Sequence, residues 1–415
     1  MSSSLSPDLS STLPPGNEPI LLAFSGGLDT SFLLPWLGAT YGRPIVTVTV
    51  DTGGIDAQAA KVLDERARAL GARDHVLIEA KQQYFDQVIK YLIMGNVKRG
   101  QMYPLCVGAE RVMQAQTIAE YARRLGTRIV AHGCTAAGND QVRFEVALRT
   151  IAPELTILAP VRDHAFKRPD QLEYLQDRQL TIPPYGAAYS VNRGLWGVTI
   201  GGKETLTSEG SIPEHAWVLS KDAYVQPQPP ESHRIGFERG EPVSLDGERL
   251  GAVEVIETLE AIGAKFGVGR GIHLGDTIIG TKGRVAFEAP AAEVLIAAHR
   301  ELEKLVMTGR QQRIKEMLAG PYGDLVHEGQ HLDPVCRDIE ALFVASQARV
   351  SGEVLVSYRP GNAFVAGVTS PYSILAASKG VYGEAAGEWS AADALGFSRM
   401  VALPGMFWAR AGQHD

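Results

Sequence analysis

A chain of 415 residues with 45% hydrophobic content is long enough to bury a sizeable core and to divide into two domains. A net charge of −7 without long like-charge runs gives no long-range pull on a nucleic-acid backbone, so nucleic acid is excluded as a main partner. Three scattered cysteines, Cys106, Cys134 and Cys336, fit a reducing cytoplasm and offer no zinc-ligand spacing, and no apolar stretch of about 18 residues exists to span a membrane.

Residues 1–18, rich in Ser and Pro, lack both a basic start and an apolar run, and read as a disordered leader rather than a secretory signal. From 19 to 182, short apolar runs alternate with helical periodicity: "PILLAFS", "RPIVTVTVD", "HVLIEA", "RIVAHG" and "LTILAPV" are the candidate strands. This is the pattern of an α/β fold with a doubly wound parallel sheet. The clearest helix runs from Ala109 to Leu125, with Val112, Ala115, Ala119, Ala122 and Leu125 in one apolar stripe and Gly126 as its stop. After "TIPPYGAAYS" the texture changes to Gly-punctuated strands and hairpins with helices between them, which places a boundary near Pro183-Pro184. Residues 183–372 then form a second, mixed α+β domain and 373–415 a loosely patterned C-terminal tail.

The first predicted strand breaks at Ser25-Gly26-Gly27 before a helix. A Gly-Gly pair there lets successive N–H groups and the positive helix end converge on one spot, which suits a phosphate, although an ordinary strand-to-helix turn has the same residues. Ser25, Thr30 and Ser31 add hydroxyls, and Asp29 can cap the helix or orient a metal. No Lys follows the glycines, so this is not the familiar P-loop. "GVTIGGK" at 197–203 has P-loop glycine spacing, but Glu204 takes the place of the metal-binding hydroxyl and would repel phosphate, so it reads as a decoy.

A second constellation, "AHGCTAAGNDQVRFE" at 131–145, ends a strand in a Gly-rich turn and opens a helix, the place where doubly wound sheets bind ligands. Asn139 and Arg143 share a helix face, and an amide beside a guanidinium suits an α-carboxylate. Asp140 can hold an amino group. A capped helix with solvated charges is the plain alternative.

The string Ser-Gly-Gly-x-Asp-Thr-Ser resembles the pyrophosphate loop of the ATP pyrophosphatase superfamily, and residues 131–145 closely resemble the signature of the argininosuccinate synthase family. Asp51, "YPL" at Tyr103 followed by Arg111, "LAPVRD" around Arg162, Tyr189-Ser190, "GVGR" and "GTKGR" extend the likeness over roughly residues 20–400. The resemblance implies an adenine nucleotide alpha hydrolase-like domain followed by a synthetase domain and an oligomerisation tail. It implies a cytoplasmic homotetramer that joins citrulline to aspartate with ATP and Mg2+, releasing AMP and pyrophosphate through a citrullyl-adenylate. Carried over residue by residue, Ala23, Phe24, Ser25, Gly26, Gly27, Leu28, Asp29, Thr30, Ser31, Val50 and Gly133 contact ATP. Thr135, Asn139 and Asp140 hold aspartate; Tyr103, Asn139, Arg143, Ser190 and Thr199 hold citrulline, with Arg111 a further substrate contact. Ser25, Asp29, Asp140 and Arg143 carry the chemistry. No protein nucleophile is needed and no carboxylate cage for a metal is visible, so Cys134 is expected to be a filler.

Four positions depart from the family pattern. Gly108 stands for an expected Ser, Ala137 for a Lys, Gly275 for a citrulline-contacting Glu and Phe287 for a Tyr. Either the citrulline pocket is rebuilt, with His273 and Asp276 as the nearby candidates, or the enzyme joins aspartate to another ureido or carboxyl compound. A nucleotide-binding module without catalysis is disfavoured by the retained Asp29, Asn139, Asp140 and Arg143, and tRNA modification by the absence of a basic surface or a Cys pair.

Overall fold

A computed structural model of the chain describes residues 13–182 and 189–414, so the boundary at Pro183-Pro184 and residues 1–12 of the leader lie outside the described residues. Five nearly continuous apolar runs become strands β1 (Ile20–Ala23), β2 (Ile45–Asp51), β3 (Asp74–Glu79), β4 (Ile129–Ala131) and β5 (Thr156–Leu158). They form one parallel sheet in the order β3-β2-β1-β4-β5. Parallel strands require crossovers, and helices on both sides bury both faces: Leu21 enters one apolar cluster, while Ile20 and Leu22 enter another.

The crossovers are α1 (Leu28–Tyr41), α2 (Ala57–Ala69), a segmented helix of α3 (Lys81–Tyr84), π-helical Phe85–Ile89 and α4 (Lys90–Met94), then α5 (Glu110–Leu125) and α6 (Asn139–Ile151). Helices α7 (Pro160–Asp163) and α8 (Arg168–Asp177) complete this half. The stripe expected on α5 is present: Val112, Ala115, Ala119 and Ala122 are buried, and Gly126 ends the helix at φ 74°. The leader reading is corrected for residues 13–18. Leu13 packs against the core, Arg43 donates to the Pro14 carbonyl at 2.5 Å, and Glu18 pairs with Arg128 at 3.3 Å.

The second half holds two antiparallel sheets. β6 (Ser190–Gly194) and β7 (Gly197–Gly201) join the later hairpin β11 (Arg270–Asp276) and β12 (Lys282–Glu288) in the order β11-β12-β7-β6. β8 (Glu231–Glu238), β9 (Glu241–Leu245), β10 (Glu248–Arg249), β13 (Gly352–Arg359) and β14 (Asn362–Thr369) form the other, ordered β10-β9-β8-β13-β14. Packed on these are α9 (Ala252–Lys265), α10 (Pro290–Val306), α11 (Gly309–His327) and α12 (Pro334–Ser346). The tail is more regular than its pattern: after α13 (Ile374–Ala377), a capping box of Ser390 and Asp393 starts α14 (Ala391–Ala411), none of whose residues is buried in the single chain.

The halves share a core that runs from Val50 through Trp196 and Phe287 to Phe343. The β6–β7 turn locks them, with Leu195 N–H donating to the Thr52 carbonyl at 2.8 Å and the buried Trp196 indole to the Pro104 carbonyl at 2.9 Å. This docking sets the β11-β12-β7-β6 sheet opposite the carboxyl ends of β1 and β4, where the strand order reverses. The "GVTIGGK" segment is β7, antiparallel to both neighbours and followed by a 3-10 turn; Glu204 accepts a hydrogen bond from Tyr189, not a phosphate cradle's role.

Candidate functional site

β1 stops at Ala23 and the chain turns through Ser25-Gly26-Gly27 into α1. Gly26 has φ 71° and a Cβ on it would meet the Leu63 side chain, so the turn strongly favours glycine. Arg66 of α2 grips the loop from behind, donating Nη1 to the Gly26 carbonyl at 2.6 Å. Gly27 is the N-cap, with no side chain bonding the first turn, and the first intrahelical bond runs from Ser31 N–H to the Gly27 carbonyl at 3.0 Å. The preceding N–H groups and the positive end of α1 are therefore open to an anion. Ser25 is exposed beside them, its Oγ 3.3 Å from Thr30 Oγ1. Asp29 is held by Gln171 Nε2, which donates to its Oδ1 at 2.8 Å. Phe24 and Val50 turn their side chains into the core, and Phe24 also has its N–H bonded to Val48 and its carbonyl to Thr49 Oγ1. Neither side chain is free to reach toward the cleft.

At the end of β4 the second loop abuts the first. A Cβ on Gly133 would lie 3.0 Å from Thr30 Cγ2 and 3.2 Å from Asp29 Cβ. In the first turn of α6, Asp140 accepts from Arg111 Nε at 3.0 Å through Oδ2 and from Arg143 Nη1 at 2.7 Å through Oδ1. Burial pushes this carboxyl up, but the Arg111 and Arg143 guanidiniums outweigh it and hold it at about 2. Arg111 also donates to Glu110 at 2.6 Å, and Thr52 Oγ1 donates to Glu110 at 2.6 Å. Burial pushes the Glu110 carboxyl up to about 7 against the pull of Arg111. A buried relay of charges thus leads from the end of β2 to the cleft. Burial also pushes the Cys134 thiol up to about 12, so it stays protonated and is no nucleophile at neutral pH.

Between the loops and the facing sheet lies a cleft of about 450 Å3. Strand register puts Phe287, Thr199 and Asn192 in one cross-strand row, with Ser190 at the start of β6. Tyr103 stacks on His273, ring centroids 5.5 Å apart at 17°, and meets Phe287 edge-on at 5.3 Å. Arg143 reaches across to α11, its Nε donating to the His327 carbonyl at 2.8 Å and its Nη2 lying 3.2 Å from His327 Nδ1. A guanidinium only donates, so His327 Nδ1 accepts and its proton sits on Nε2. That Nε2 is buried without a partner among the described residues, as is Nε2 of His273.

The cleft gathers Asp29, Tyr103, Gly133, Thr135, Asn139, Asp140, Arg143, Ser190 and Thr199 from the residues that the sequence singled out. Arg111 does not line it but stands behind Asp140, its guanidinium shared among Glu110, Gln114, Asn192 and Asp140. Asp276 pairs with Lys282 in solvent. A Cβ on Gly108 would lie 2.9 Å from Arg143 Cζ, and one on Gly275 would lie 2.6 Å from His273 Nε2 and 3.3 Å from Arg99 Nη1. Larger residues would therefore displace these groups. Arg66, Arg99, Gln171 and His327 escaped the sequence reading. Gln171 alone left a trace, a polar residue four before Leu175 on the buried face of α8.

A family model described as the arginosuccinate synthase N-terminal HUP domain matches residues 19–181, and one described as the arginosuccinate synthase C-terminal domain matches 189–408. The chain is 37% identical over 403 residues to an argininosuccinate synthase of Xanthomonas campestris pv. campestris, covering 95% of this chain and 99% of that protein. It is 38% identical over 354 residues to one of Methanocaldococcus jannaschii (85% and 89% covered) and 37% over 397 residues to one of Pyrobaculum aerophilum (94% and 97%).

Proposed function

The chain belongs to the argininosuccinate synthase family, and on that premise we propose that its cleft joins L-citrulline to L-aspartate with ATP in arginine biosynthesis. The products are argininosuccinate, AMP and pyrophosphate. The observation that carries this reading is the contact between two loops at the sheet's switch point: the open N-terminus of α1 at Ser25–Ser31, and the Gly133–Arg143 turn packed on it.

The β1–α1 loop would hold the departing pyrophosphate with backbone N–H groups and the Ser25 hydroxyl, leaving the α-phosphorus facing the cleft. Tyr103, Arg143, Ser190 and Thr199 would position citrulline so that its ureido oxygen attacks that phosphorus, giving citrullyl-adenylate. Thr135, Asn139 and Asp140 would then present the aspartate amine, which displaces AMP. No step requires a protein nucleophile, and the rate comes from placing two amino acids beside one nucleotide. Mg2+ carried on the phosphates supplies charge neutralisation. The Oδ2 of Asp29, which has no hydrogen-bond partner among the described residues, fits that cation's demand for oxygen.

In this reading residues 19–182 bind ATP, 183–372 complete the synthetase site and 373–415 mediate assembly of a cytoplasmic homotetramer. The exposed Phe397 and Trp408 of α14, 71% and 83% accessible in the single chain, support an assembly role for the tail. Pyrophosphate and AMP release from ATP, measured with citrulline and aspartate singly and together, tests the activity. Sustained AMP formation is expected only with both; release that ignores citrulline or aspartate would overturn the assignment.

A further inference from the structure

We propose that the citrulline end of the cleft reads the substrate's carboxylate and not its α-ammonium, so that ureido acids with a missing or acylated α-amino group serve as substrates beside citrulline. This rests on the function proposed above, which assigns Tyr103 and Arg143 to citrulline.

The wall at this end is built of donors. His327 is 6% exposed, and its Nε2–H, fixed by the contact of Nδ1 with Arg143, has no partner among the described residues. Nε2 of His273 is also buried and without a partner among them. Arg99, its side chain 16% exposed, makes one long side-chain hydrogen bond among the described residues, from Nε to Asp324 at 3.4 Å. Arg99 Nη1 and His273 Nε2 converge on the space above Gly275.

Anionic acceptors are lacking. Among the described residues, three carboxylates border the cleft, and none faces this wall unengaged. Asp140 has both oxygens on arginines, Asp29 belongs to the nucleotide loop under Gln171, and Asp276 is paired with Lys282 in solvent. Strand alternation puts His273 and Gly275 on one face of β11, and Asp276 on the other with the exposed Leu274. Burial keeps both histidines below their ordinary range and hence neutral at pH 7, His327 at about 3, so neither adds charge. His327 presents Nε2–H, and His273, whose tautomer no hydrogen bond fixes among the described residues, can carry its proton on Nε2 when an acceptor is bound. An ammonium placed here would meet the like charges of Arg99 and Arg143 with no free carboxylate to offset its own. A carboxylate would satisfy the orphaned donors with charge-assisted hydrogen bonds.

The test measures pyrophosphate and AMP release by the full chain with ATP, Mg2+ and aspartate, varying citrulline, N-acetylcitrulline, 5-ureidopentanoate and citrulline amide. Expected kcat/KM values for the first three agree within about threefold, and the amide falls by roughly 30-fold or more because it loses the anionic acceptor. Arg99→Gln is expected to raise KM for the three acids by about tenfold, leaving the amide and ATP unchanged. A drop of more than about tenfold on removing or acylating the amino group, or an amide as good as citrulline, overturns the proposal while leaving the activity intact. If no ureido compound, citrulline included, drives pyrophosphate release, the functional reading falls first and this proposal with it.

Discussion

The two ends of the cleft are made in opposite ways. The end proposed to take the nucleotide is a single stretch, Ser25 to Ser31, which presents main-chain N–H donors at the start of α1. The end proposed to take the ureido acid is assembled from Arg99, Tyr103, His273 and His327, which belong to a loop, a later strand and the last turn of α11, and it presents side chains. A backbone site tolerates little, because φ at Gly26 and the approach of Leu63 strongly favour one residue type. A side-chain site can be refitted: removing bulk at Gly108 and Gly275 leaves room for Arg143 and His273. On the proposed reading, one fold can keep its nucleotide chemistry while changing what it reads at the other end.

The sharpest way to break that comparison is Asp29→Ala. If the loop end carries the chemistry, pyrophosphate release falls by about 10^2 to 10^3-fold with the melting temperature hardly changed, since Asp29 is half-exposed and accepts one side-chain hydrogen bond. Normal turnover in that variant would remove the loop from the mechanism.

Next in size is Asp140→Asn, which leaves Arg111 and Arg143 facing a neutral amide. AMP formation should fall by roughly 100-fold, with positional isotope exchange in ATP affected less, because only aspartate requires this carboxylate. Equal losses in both would show that the relay serves the two ends alike.

Arg66→Ala sharpens the contrast, since it loosens the loop without touching the far wall. A rise of about tenfold or less in KM for ATP is expected with citrulline unaffected, read from steady-state kinetics with each substrate varied in turn.

The smallest effect is a pH dependence of stability with two signs inside one relay. Asp140 is held at about 2, below its ordinary 3.8, so its contribution is present above pH 3.8 and is lost as pH falls towards 2. Glu110 is raised from 4.5 to about 7, so the folded state keeps a proton there that the unfolded chain has released. Its contribution is fully present below pH 4.5 and is lost as pH rises through 7. Melting curves between pH 4.5 and 7 should show this decline, at most about 3 kcal/mol, and Glu110→Gln should flatten it. An unchanged slope in the variant would place the titration elsewhere.

Much of the molecule was legible in the chain itself. The parallel strands announce themselves because burial on both faces demands unbroken apolar runs, and α5 because one stripe and a Gly stop define it. The turn after β1 was legible for the same local reason: its glycines, hydroxyls and Asp29 are neighbours in sequence and in space. The regular helix α14 was not, since Pro404 and its scattered apolar residues blur the period, although the capping box at Ser390 and Asp393 marks its start. The family resemblance implied a substrate contact at Arg111, but the fold engages its guanidinium with Glu110 and Asp140.

Local pattern in the chain was enough for the two-part α/β architecture, the glycine turn after β1 and the shared face of Asn139 and Arg143, because each depends on contacts within one turn of helix or one strand end. Packing between distant segments set Arg143 into the room at Gly108, brought Arg99 and His273 over Gly275, and placed His327 beside Arg143. Those choices are made by two halves docking through Trp196 and the β6–β7 turn. Which side chains meet across such an interface is a property of packing between distant segments, and no local pattern encodes it.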